Sequence, residues 1–478
     1  MTERLARITR VRRRTAEALL RPLDIASLAA FRVLFGLLMF GGLVRFMAQG
    51  WVRTQYVEPA ERFTYWGLGW VPRWPEWGMY VHFGLLAVLA LLVAAGLFYR
   101  AAALLFFVGF AWIQLLDVTN YLNHYYLVAL LALLFAVIPL HRAWSVDAWR
   151  RRGLRRETVP AWMLYLLRFQ IGLVYFFAGK AKLTSDWLLH AQPLGIWLAA
   201  RNETPLIGPL LDEAWLAYAA SWAAFLFDTS IVAFLLARRT RPFAYASVIV
   251  FHLFTHLFFD IGMFPFIMVV SALVFFSPSW PRRLLRLPPP PLDAGASSGF
   301  SSIKRRAALA AVVGYCIVQV LLPLRQHLYP GDVLWAEQGM RFAWKVMVRE
   351  KNGSVTFHVT DPRTHRAWQV SPHQYLEWRQ AKEMSAQPDL ILQLGHRIAR
   401  DIEARGVDDV EVRAEAWVSL NGRRPALLID PKVDLARIED GLAAAPWILP
   451  APTDPPLAVG AGRRPSARLA HSLLPHTR

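Results

Sequence analysis

The sequence predicts an α-helical polytopic membrane protein of about nine spans, with a small C-terminal α+β domain on the outer face of the membrane. Of its 478 residues, 55% are hydrophobic. Apolar runs recur from Ile25 to Leu322, and many are close to the roughly 20 residues that cross a bilayer. The distribution of Lys and Arg between these runs predicts the orientation.

The apolar runs give nine predicted spans. The first run, Ile25–Met47, is longer than the hydrophobic region of a signal peptide and lacks a small-residue cleavage site, so we expect it to remain as a membrane helix. The predicted spans are residues 25–46, 79–98, 101–116, 121–140, 161–180, 214–236, 243–260, 262–278 and 307–323.

The net charge of +19 lies mostly in short segments between the apolar runs, so it does not indicate a nucleic-acid partner. Connections on one side of the membrane hold 23 Lys and Arg residues, whereas those on the other side hold six. Because cytoplasmic loops are enriched in Lys and Arg, we expect a multi-pass protein with a cytoplasmic N-terminus and an extracytoplasmic C-terminal domain. The six are Arg53, Arg62, Arg73, Lys180, Lys182 and Arg201.

Composition divides the chain into four parts. A basic cytoplasmic segment (1–24) precedes the transmembrane domain (25–323). The extracytoplasmic α+β domain follows (324–449), and the last part (450–478) is rich in Pro, Arg and Ala and is predicted to be disordered. The predicted elements of the third part are strands at 341–349, 354–360, 410–420 and 425–429 and a helix at 388–405. A flexible inner loop is predicted at 293–302.

Ionisable side chains at membrane depth are candidates for function because their burial is costly. Arg168, Tyr175 and Lys182 are seven residues apart in the fifth span, so they share one helix face with about 20° of drift per heptad. Gly172 and Gly179 lie on the same face, where a neighbouring helix or a flat ligand can approach. Lys180 points the opposite way, so Lys182 is the lysine expected inside the bundle; snorkelling of both lysines to the interface is the alternative.

Polar residues of two other spans are expected at a similar depth. Asn123 and His124 begin the fourth span at the outer side, where Lys182 leaves the membrane. His252 and His256 lie one turn apart in the seventh span. These histidines either pack in the core or form a site, and haem or metal binding is also open. The sequence has no HExxH, CxxC or Gly-rich phosphate loop, so an amine, imidazoles and amides must carry any chemistry.

Several segments resemble the vitamin K-dependent γ-carboxylase family, as a bacterial-type member with a horizontally transferred transmembrane domain. The similarity is collinear over roughly residues 20–445. The membrane segments are YFFAGKAKLTSDW (175–187), LNHYYL (122–127), HRAWSVDAW (141–149), FFDIGMFPF (258–266) and SPSWPRRL (277–284). Those of the C-terminal domain are RFAWKVMV (341–348), EAWVSLNGR (415–423) and IDPKVDL (429–435).

This resemblance implies an enzyme that couples oxygenation of reduced vitamin K, a menaquinol- or phylloquinol-type hydroquinone, to carboxylation of protein glutamate with O₂ and CO₂. Lys182 corresponds to the catalytic lysine and His124 to an important histidine. Asn123, Arg168, Tyr175 and His252 are the predicted quinol-binding residues. The predicted substrate-binding residues are Trp344 and Arg379, the latter as a partner of the substrate carboxylate. No bound metal is predicted.

The sequence departs from the family at three places. Ala181 stands where animal members carry a second lysine, Lys345 replaces an acid, and Cys316 is the only cysteine, so the disulfide of those members cannot form. Two alternatives therefore remain beside the carboxylase. One is a quinol epoxidase that acts without carboxylation or on another substrate, and the other is a non-catalytic lipid- or haem-binding membrane protein.

Overall fold

A computed structural model of the protein describes residues 17–290 and 302–459, with residues 302–306 described by their backbone alone. Three predictions fall wholly or partly outside these residues. They are the basic segment 1–24, the flexible inner loop 293–302 and the tail 450–478. Up to residue 459 this tail has no regular secondary structure, and Leu457 hydrogen-bonds with Gly422 and Gln192 of the body.

Helices occupy all nine predicted positions in the described membrane part. They are α1 (Ala26–Ala48), α2 (Glu76–Ala95), α3 (Tyr99–Leu116), α4 (Asn123–Val137), α5 (Ala161–Ala181), α6 (Ala214–Leu236), α7 (Arg241–Phe258), α8 (Phe264–Ala272) and α9 (Ser302–Leu324). Short helices cover Val146–Arg150, Ser185–His190, Leu194–Ala199, Gly208–Leu211, Trp280–Leu284 and Val333–Ala336.

Six helices of the described residues are long and apolar enough to cross a membrane: α1, α2, α3, α5, α6 and α9 with its following turn. Helix α4 has 15 residues and α8 has nine, so each is shorter than a bilayer requires. The structure therefore supports a multi-pass membrane protein and does not confirm nine spans. Helix α4 is short because a 3-10 turn at Val118–Asn120, capped by the Asp117 side chain, precedes it and Pro139 follows it closely.

The C-terminal domain is built on a four-stranded antiparallel sheet with the strand order β4-β3-β5-β6. A separate two-stranded sheet, β1 (Pro22–Asp24) and β2 (Thr158–Pro160), joins the start of α1 to the start of α5. The large sheet consists of β3 (Lys351–Thr360), β4 (Ala367–Val370), β5 (Glu411–Leu420) and β6 (Ala426–Leu427). Helices α10 (Trp378–Met384) and α11 (Pro388–Glu403) complete the domain.

Alternating burial explains the central strands of this sheet. In β5, Val412, Ala414, Ala416 and Val418 point into the core, whereas the residues between them are more exposed. Helix α11 covers that core with an apolar stripe spaced three and four residues apart. The stripe comprises Leu390, Ile391, Leu394, Ile398 and Ile402. Three of the four predicted strands and the predicted helix are therefore confirmed within a few residues.

The prediction of a strand at 341–349 is wrong. This segment forms turns, and Phe342, Trp344 and Met347 have φ angles of +63°, +56° and +51°. Its alternating pattern has another cause, because Phe342 and Trp344 both pack against Tyr126 of α4. Non-glycine residues with positive φ persist where the surrounding structure determines them. The segment thus fits the C-terminal domain closely onto the membrane helices.

Candidate active site

A cavity of about 690 Å³ lies between α5, α6, α7 and α8 and is closed on one side by the C-terminal domain. Most of its lining is apolar, and its ionisable and polar side chains are few. Two residues of the turn segment, Val346 and Met347, contribute to its wall. The polar lining residues are Lys182, Asp228, Tyr175, His252, Ser247 and Thr255. Ligand sites have this composition, with a mainly apolar wall and a few convergent polar groups.

A buried ion pair joins α5 to α6 at the polar end of the cavity. The Lys182 Nζ atom lies 2.8 Å from Asp228 Oδ2, and the two side chains are only 4% and 7% exposed. The amine also reaches the carbonyl oxygens of Ala178 and Val346 at 3.4 Å. A pair of this kind is costly to bury and is strongly destabilised when one partner is removed. Its position therefore marks it as the main functional candidate of the cavity.

Local structure holds Lys182 in place. Helix α5 ends at Ala181, and Lys182 is its C-cap residue. Thr184 begins the next helix, where its side chain accepts a hydrogen bond from the Trp187 backbone N–H. The Trp187 ring lies 5.1 Å from Lys182 Nζ, and its indole N–H donates to the Ser221 carbonyl of α6. The end of α5, the Thr184 cap and the Trp187 ring together thus orient the amine towards α6.

Tyr175 and His252 form a second polar contact in the same cavity. The Tyr175 hydroxyl lies 3.2 Å from His252 Nε2, and both residues are buried. His252 Nδ1 has no hydrogen-bond partner among the described residues. Phe227 of α6 packs against both rings, with centroid distances of 5.9 and 6.3 Å. Tyr175, Lys182 and His252 therefore line one cavity, and their binding and catalytic roles stay predictions.

Asn123 and His124 lie just beyond the cavity wall. His124 is 6% exposed, and its ring centroid is 6.0 Å from that of Phe264, which is itself 5.9 Å from His252. The Asn123 amide donates to the Lys345 carbonyl at 3.3 Å, one residue before the carbonyl that faces Lys182. The start of α4 and the end of α5 are thus bridged by two successive carbonyl groups of the C-terminal domain.

Besides Asn123 and His124, three further predicted site residues, Arg168, Trp344 and Arg379, do not line this cavity. The Arg168 guanidinium donates to the Val274, Phe275 and Phe276 carbonyls near the other end of α5. Trp344 is fully buried and stacks on Tyr126. Arg379 donates to the backbone and hydroxyl oxygens of Thr119 at 3.1 and 3.4 Å. Their predicted binding roles stay predictions, and these contacts give each of them a structural partner.

The helix phase of α5 agrees with the expectation from spacing. Lys180 points away from Lys182, and its Nζ atom lies 3.0 Å from His327 Nε2. Gly172 and Gly179 face α6, and a Cβ atom at Gly179 would lie 2.7 Å from Thr229 Cγ2. His256, in contrast, is exposed and contacts Phe266. Of the two histidines in α7, only His252 faces the cavity.

Asp228 is the site residue that sequence reasoning missed. It lies in the middle of α6, within the apolar run FLFDTS. An acidic residue in a predicted span is itself a signal of function, so the carboxylate could have been selected on that ground. Spacing alone could not pair it with Lys182, because the two residues are 46 positions apart and three short helices lie between them.

One side of the cavity opens between α6 and α7. Val250 and Phe243 of α7 are 67% and 77% exposed although they line the cavity. Ala223 and Ser247 are exposed at the same opening. The surrounding helix surfaces are apolar, so this lateral opening faces the surface expected to contact lipid. An apolar ligand can therefore reach the Lys182 end without passing through water.

The C-terminal domain is fastened to the end of α5 by a buried ionic contact. Arg423 binds both carboxylate oxygens of Asp186 at 2.6 Å, and the Asn421 amide donates to Asp186 at 2.9 Å. Burial alone would raise the pKa of Asp186, but these hydrogen bonds hold that pKa below its ordinary value. The turn between β5 and β6 thereby fixes the short helix that carries Trp187.

No group of three or more His, Cys, Asp or Glu residues suited to a metal ion occurs among the described residues. The lining of the cavity is mainly apolar with a few polar groups, as in sites for small ligands. The described part of the chain is thus a multi-pass membrane protein with a mainly apolar cavity that opens to the side and holds a buried ion pair.

Comparison with protein families identifies the chain further. Residues 20–280 match the family model of the HTTM domain, and residues 304–454 match that of the vitamin K-dependent gamma-carboxylase lumenal domain. The chain belongs to the vitamin K-dependent gamma-carboxylase family, whose membership implies the use of reduced vitamin K. No solved structure matches the chain.

Proposed function

We propose that the protein is a quinol-dependent γ-glutamyl carboxylase, which couples oxygenation of reduced vitamin K to its epoxide with carboxylation of protein glutamate. The observation that supports this function best is the position of Lys182. Its amine is 4% exposed and paired with Asp228 at the polar end of an otherwise apolar cavity. A lipid-soluble diol would be complementary to this cavity, because the apolar wall suits its ring and the buried ion pair can accept its proton.

The residues of the cavity fit a hydroquinone. Phe227, Phe251 and Phe264 offer apolar surfaces, and Phe227 and Phe251 stack with a centroid distance of 4.0 Å. Tyr175, His252 and the Lys182–Asp228 pair would hold the hydroxyl groups. When bound, reduced vitamin K supplies, together with O₂, a base stronger than any side chain, which the γ-proton of glutamate requires.

The Lys182–Asp228 pair is proposed to take up the quinol proton. As an ion pair it holds one proton on the amine and leaves a carboxylate that can accept a second. Asp228 would accept a proton from a hydroxyl group of a bound hydroquinone, and the Lys182 ammonium would stabilise the negative charge left on that oxygen. His124 does not line the cavity and packs against the lining residue Phe264, so we assign it a positioning role.

The protein substrate is proposed to come from the side of the C-terminal domain, outside the cytoplasm. The high Lys and Arg content of the opposite connections supports this orientation, and so does the match to a lumenal domain. The proposed location is a bacterial inner membrane, with quinol supplied by the bilayer. A polypeptide with glutamate residues on the outer side is the proposed partner.

The test uses purified protein, reduced vitamin K, O₂, a Glu-containing peptide and labelled CO₂. We expect the label in the peptide and an equivalent amount of vitamin K epoxide. Lys182→Met should abolish both products, because it removes the ammonium that stabilises the oxyanion. Lys180→Met is the matched control, since Lys180 faces His327 and does not line the cavity. Full turnover by a folded Lys182→Met protein would contradict the proposal.

A second function, quinol epoxidation without carboxylation, is favoured by one observation. Tyr175, His252 and Lys182 all line the cavity, whereas Trp344 and Arg379, the residues predicted for glutamate, do not. The same experiment separates the two functions. Epoxide formed at equal rates with and without peptide, and with no label in the peptide, would establish the second function in place of the first.

A further inference from the structure

The route by which a water-soluble substrate reaches Lys182 is restricted by three segments. The short helix Leu194–Ala199 contributes Leu194 and Trp197 to the cavity wall, and the connection between α7 and α8 contributes Phe259 and Ile261. The third segment is Val346–Met347 of the C-terminal domain. The rest of the wall is formed by the membrane helices and by Trp187 of the short helix Ser185–His190. A peptide must therefore approach between these three segments.

An ion pair connects the first two of these segments. Arg201 follows the short helix by two residues, and Asp260 lies between the lining residues Phe259 and Ile261. Arg201 Nη2 is 2.9 Å from Asp260 Oδ2, and the rings of Trp197 and Phe259 meet below with a centroid distance of 5.9 Å. The pair therefore lies at the rim of the cavity on the side of the C-terminal domain.

The Arg201–Asp260 pair is open to solvent. The Asp260 side chain is 96% exposed and that of Arg201 is 40% exposed. Exposed ion pairs of this kind contribute little to stability, so another carboxylate can replace Asp260 at small cost. The guanidinium group binds a carboxylate best through two parallel hydrogen bonds, whereas the Arg201 contact with Asp260 among the described residues is made through Nη2.

Other cations near the cavity already have partners or lie elsewhere. Lys182 is the only Lys or Arg among the described lining residues, and it is paired with Asp228. Arg423 is bound to Asp186, and Arg379 to Thr119. Lys345 is next to Val346, but its charge interacts with Lys180 on the opposite side of α5. Arg201 is thus the rim cation best placed for a substrate.

We propose that Arg201 binds a carboxylate of the acidic peptide substrate at the rim of the cavity, and that Asp260 occupies this position until the peptide arrives. This inference rests on the proposed function, because it concerns the substrate of the same cavity. It replaces Arg379 as the carboxylate partner expected from the sequence. Asp260 acts as an internal competitor, which keeps Arg201 oriented and excludes ligands without a negative charge.

The test measures binding of a fluorescent Glu-containing peptide to the purified full chain, together with KM for the same peptide. Arg201→Gln should raise both Kd and KM roughly tenfold, which corresponds to the loss of a charge-assisted hydrogen bond. Asp260→Asn should lower Kd about two- to threefold, because it removes the competing carboxylate. A peptide with Gln in place of Glu should bind to the wild type and to both variants with the same Kd.

Arg363→Gln is the matched control, since Arg363 forms a similarly exposed pair with Asp408 on the far part of the domain. It should leave Kd unchanged. Binding is measured apart from turnover, so the proposed function and this inference fail separately. If the wild type binds peptide but neither carboxylates it nor oxidises quinol, the proposed function fails. If Arg201→Gln binds like wild type, if Asp260→Asn binds more weakly, or if the wild type binds no peptide, the inference is overturned.

Discussion

At the scale of single residues, burying the ion pair between Lys182 and Asp228 lowers the stability of the folded protein. Both side chains are almost fully buried, and no other ion pair lies among the lining residues that the structure describes. Taking two charges out of water is unfavourable, and their attraction offsets this cost only while both are present. The pair is therefore expected to be retained for chemistry and not for folding.

This view leads to a prediction about stability. Asp228→Leu or Lys182→Met alone leaves one buried charge and should destabilise the protein by about 3–5 kcal/mol. The double variant should regain most of that loss while remaining inactive. Thermal unfolding in detergent, followed beside quinol turnover, measures both effects. A double variant as unstable as the single variants would show that the pair supports the fold itself.

Lys345 gives a prediction that depends on pH. Burial, with Lys180 nearby, lowers the pKa of Lys345 to about 8, from about 10.4 in an unfolded chain. Its charge is therefore unfavourable in the folded protein below pH 8, and this cost fades as pH rises towards 10. Lys345→Met should be more stable than wild type by about 1–2 kcal/mol at pH 7, allowing for partial exposure. Unfolding measured at pH 7 and pH 10 should show the difference shrinking.

The helix phase of a single span was sufficient to select Tyr175 and Lys182 from the sequence, because both lie on the helix face that points towards the cavity. The same phase included Arg168, which lies two turns before Tyr175 in α5. The cavity does not extend to that position, and the Arg168 guanidinium instead donates hydrogen bonds to backbone carbonyls. Spacing gives a direction but not the depth at which a cavity stops. Asp228 was missed for a related reason, since its partner depends on how α6 packs.

At the scale of elements, the close packing of α5 on α6 brings Asp228 to Lys182. Gly179 makes this packing possible, because a Cβ atom there would lie 2.7 Å from Thr229 Cγ2 and 3.1 Å from its backbone nitrogen. Thr229 follows Asp228 directly. At Gly172 the nearest atom, Val232 Cγ1, is 3.5 Å away, which is ordinary contact. The two glycines therefore differ in what they tolerate.

Alanine substitutions test this difference. Gly179→Ala should separate α5 from α6, reduce stability by about 1–3 kcal/mol and lower turnover, since Asp228 moves with its helix. Gly172→Ala should have little effect and may be compared directly, because both positions are helical and alanine favours helix. Unfolding and initial rates of quinol oxidation measure the two effects. Equal effects at both positions would contradict the packing argument.

The contact between the C-terminal domain and the end of α5 should respond to acid. Hydrogen bonds from Arg423 and Asn421 hold the pKa of Asp186 below its ordinary value despite burial. Its stabilising contribution is therefore complete above about pH 4 and is lost as pH falls through the lower pKa of the folded state. Asp186→Asn should lower stability at pH 7 and abolish this part of the acid sensitivity. Unfolding curves between pH 3 and pH 7 for both proteins test the prediction.

Elements with a strong hydrophobic period were predictable, whereas those shaped by contacts between domains were not. Helix α6 has the same bounds in the prediction and in the structure, Ala214–Leu236, because a long and mainly apolar run defines it. The segment 341–349 alternates like a strand, but packing on Tyr126 bends it through three residues with positive φ. Its backbone follows the membrane helices, which the local sequence does not encode.

At the scale of the whole molecule, the orientation proposed from the distribution of Lys and Arg can be tested by cysteine labelling. The single cysteine, Cys316, allows a cysteine-free background with Cys316→Ser. In that background, Arg363→Cys lies on an exposed turn of the C-terminal domain and Trp149→Cys in the exposed connection between α4 and α5. An impermeant maleimide added to intact cells should label position 363 and not position 149. The reverse pattern would invert the proposed topology.

The division into a membrane part and a C-terminal sheet domain was predictable, because composition changes sharply after residue 323. The span count was less so. Apolar content alone cannot distinguish a helix that crosses the bilayer from one such as α4, which begins only after a capped turn and ends before Pro139. The joint contribution of both parts to one cavity was also not predictable, since Val346 and Met347 reach it through a turn.

The opening between α6 and α7 has a kinetic consequence. A pocket filled through the side of the protein takes its ligand from a two-dimensional reservoir, so occupancy depends on the mole fraction of quinol among the lipids and not on its amount per volume of buffer. Diluting the vesicles at a fixed lipid composition would leave the rate per protein unchanged. Adding inert lipid would slow it, even though every atom around Lys182 stayed the same.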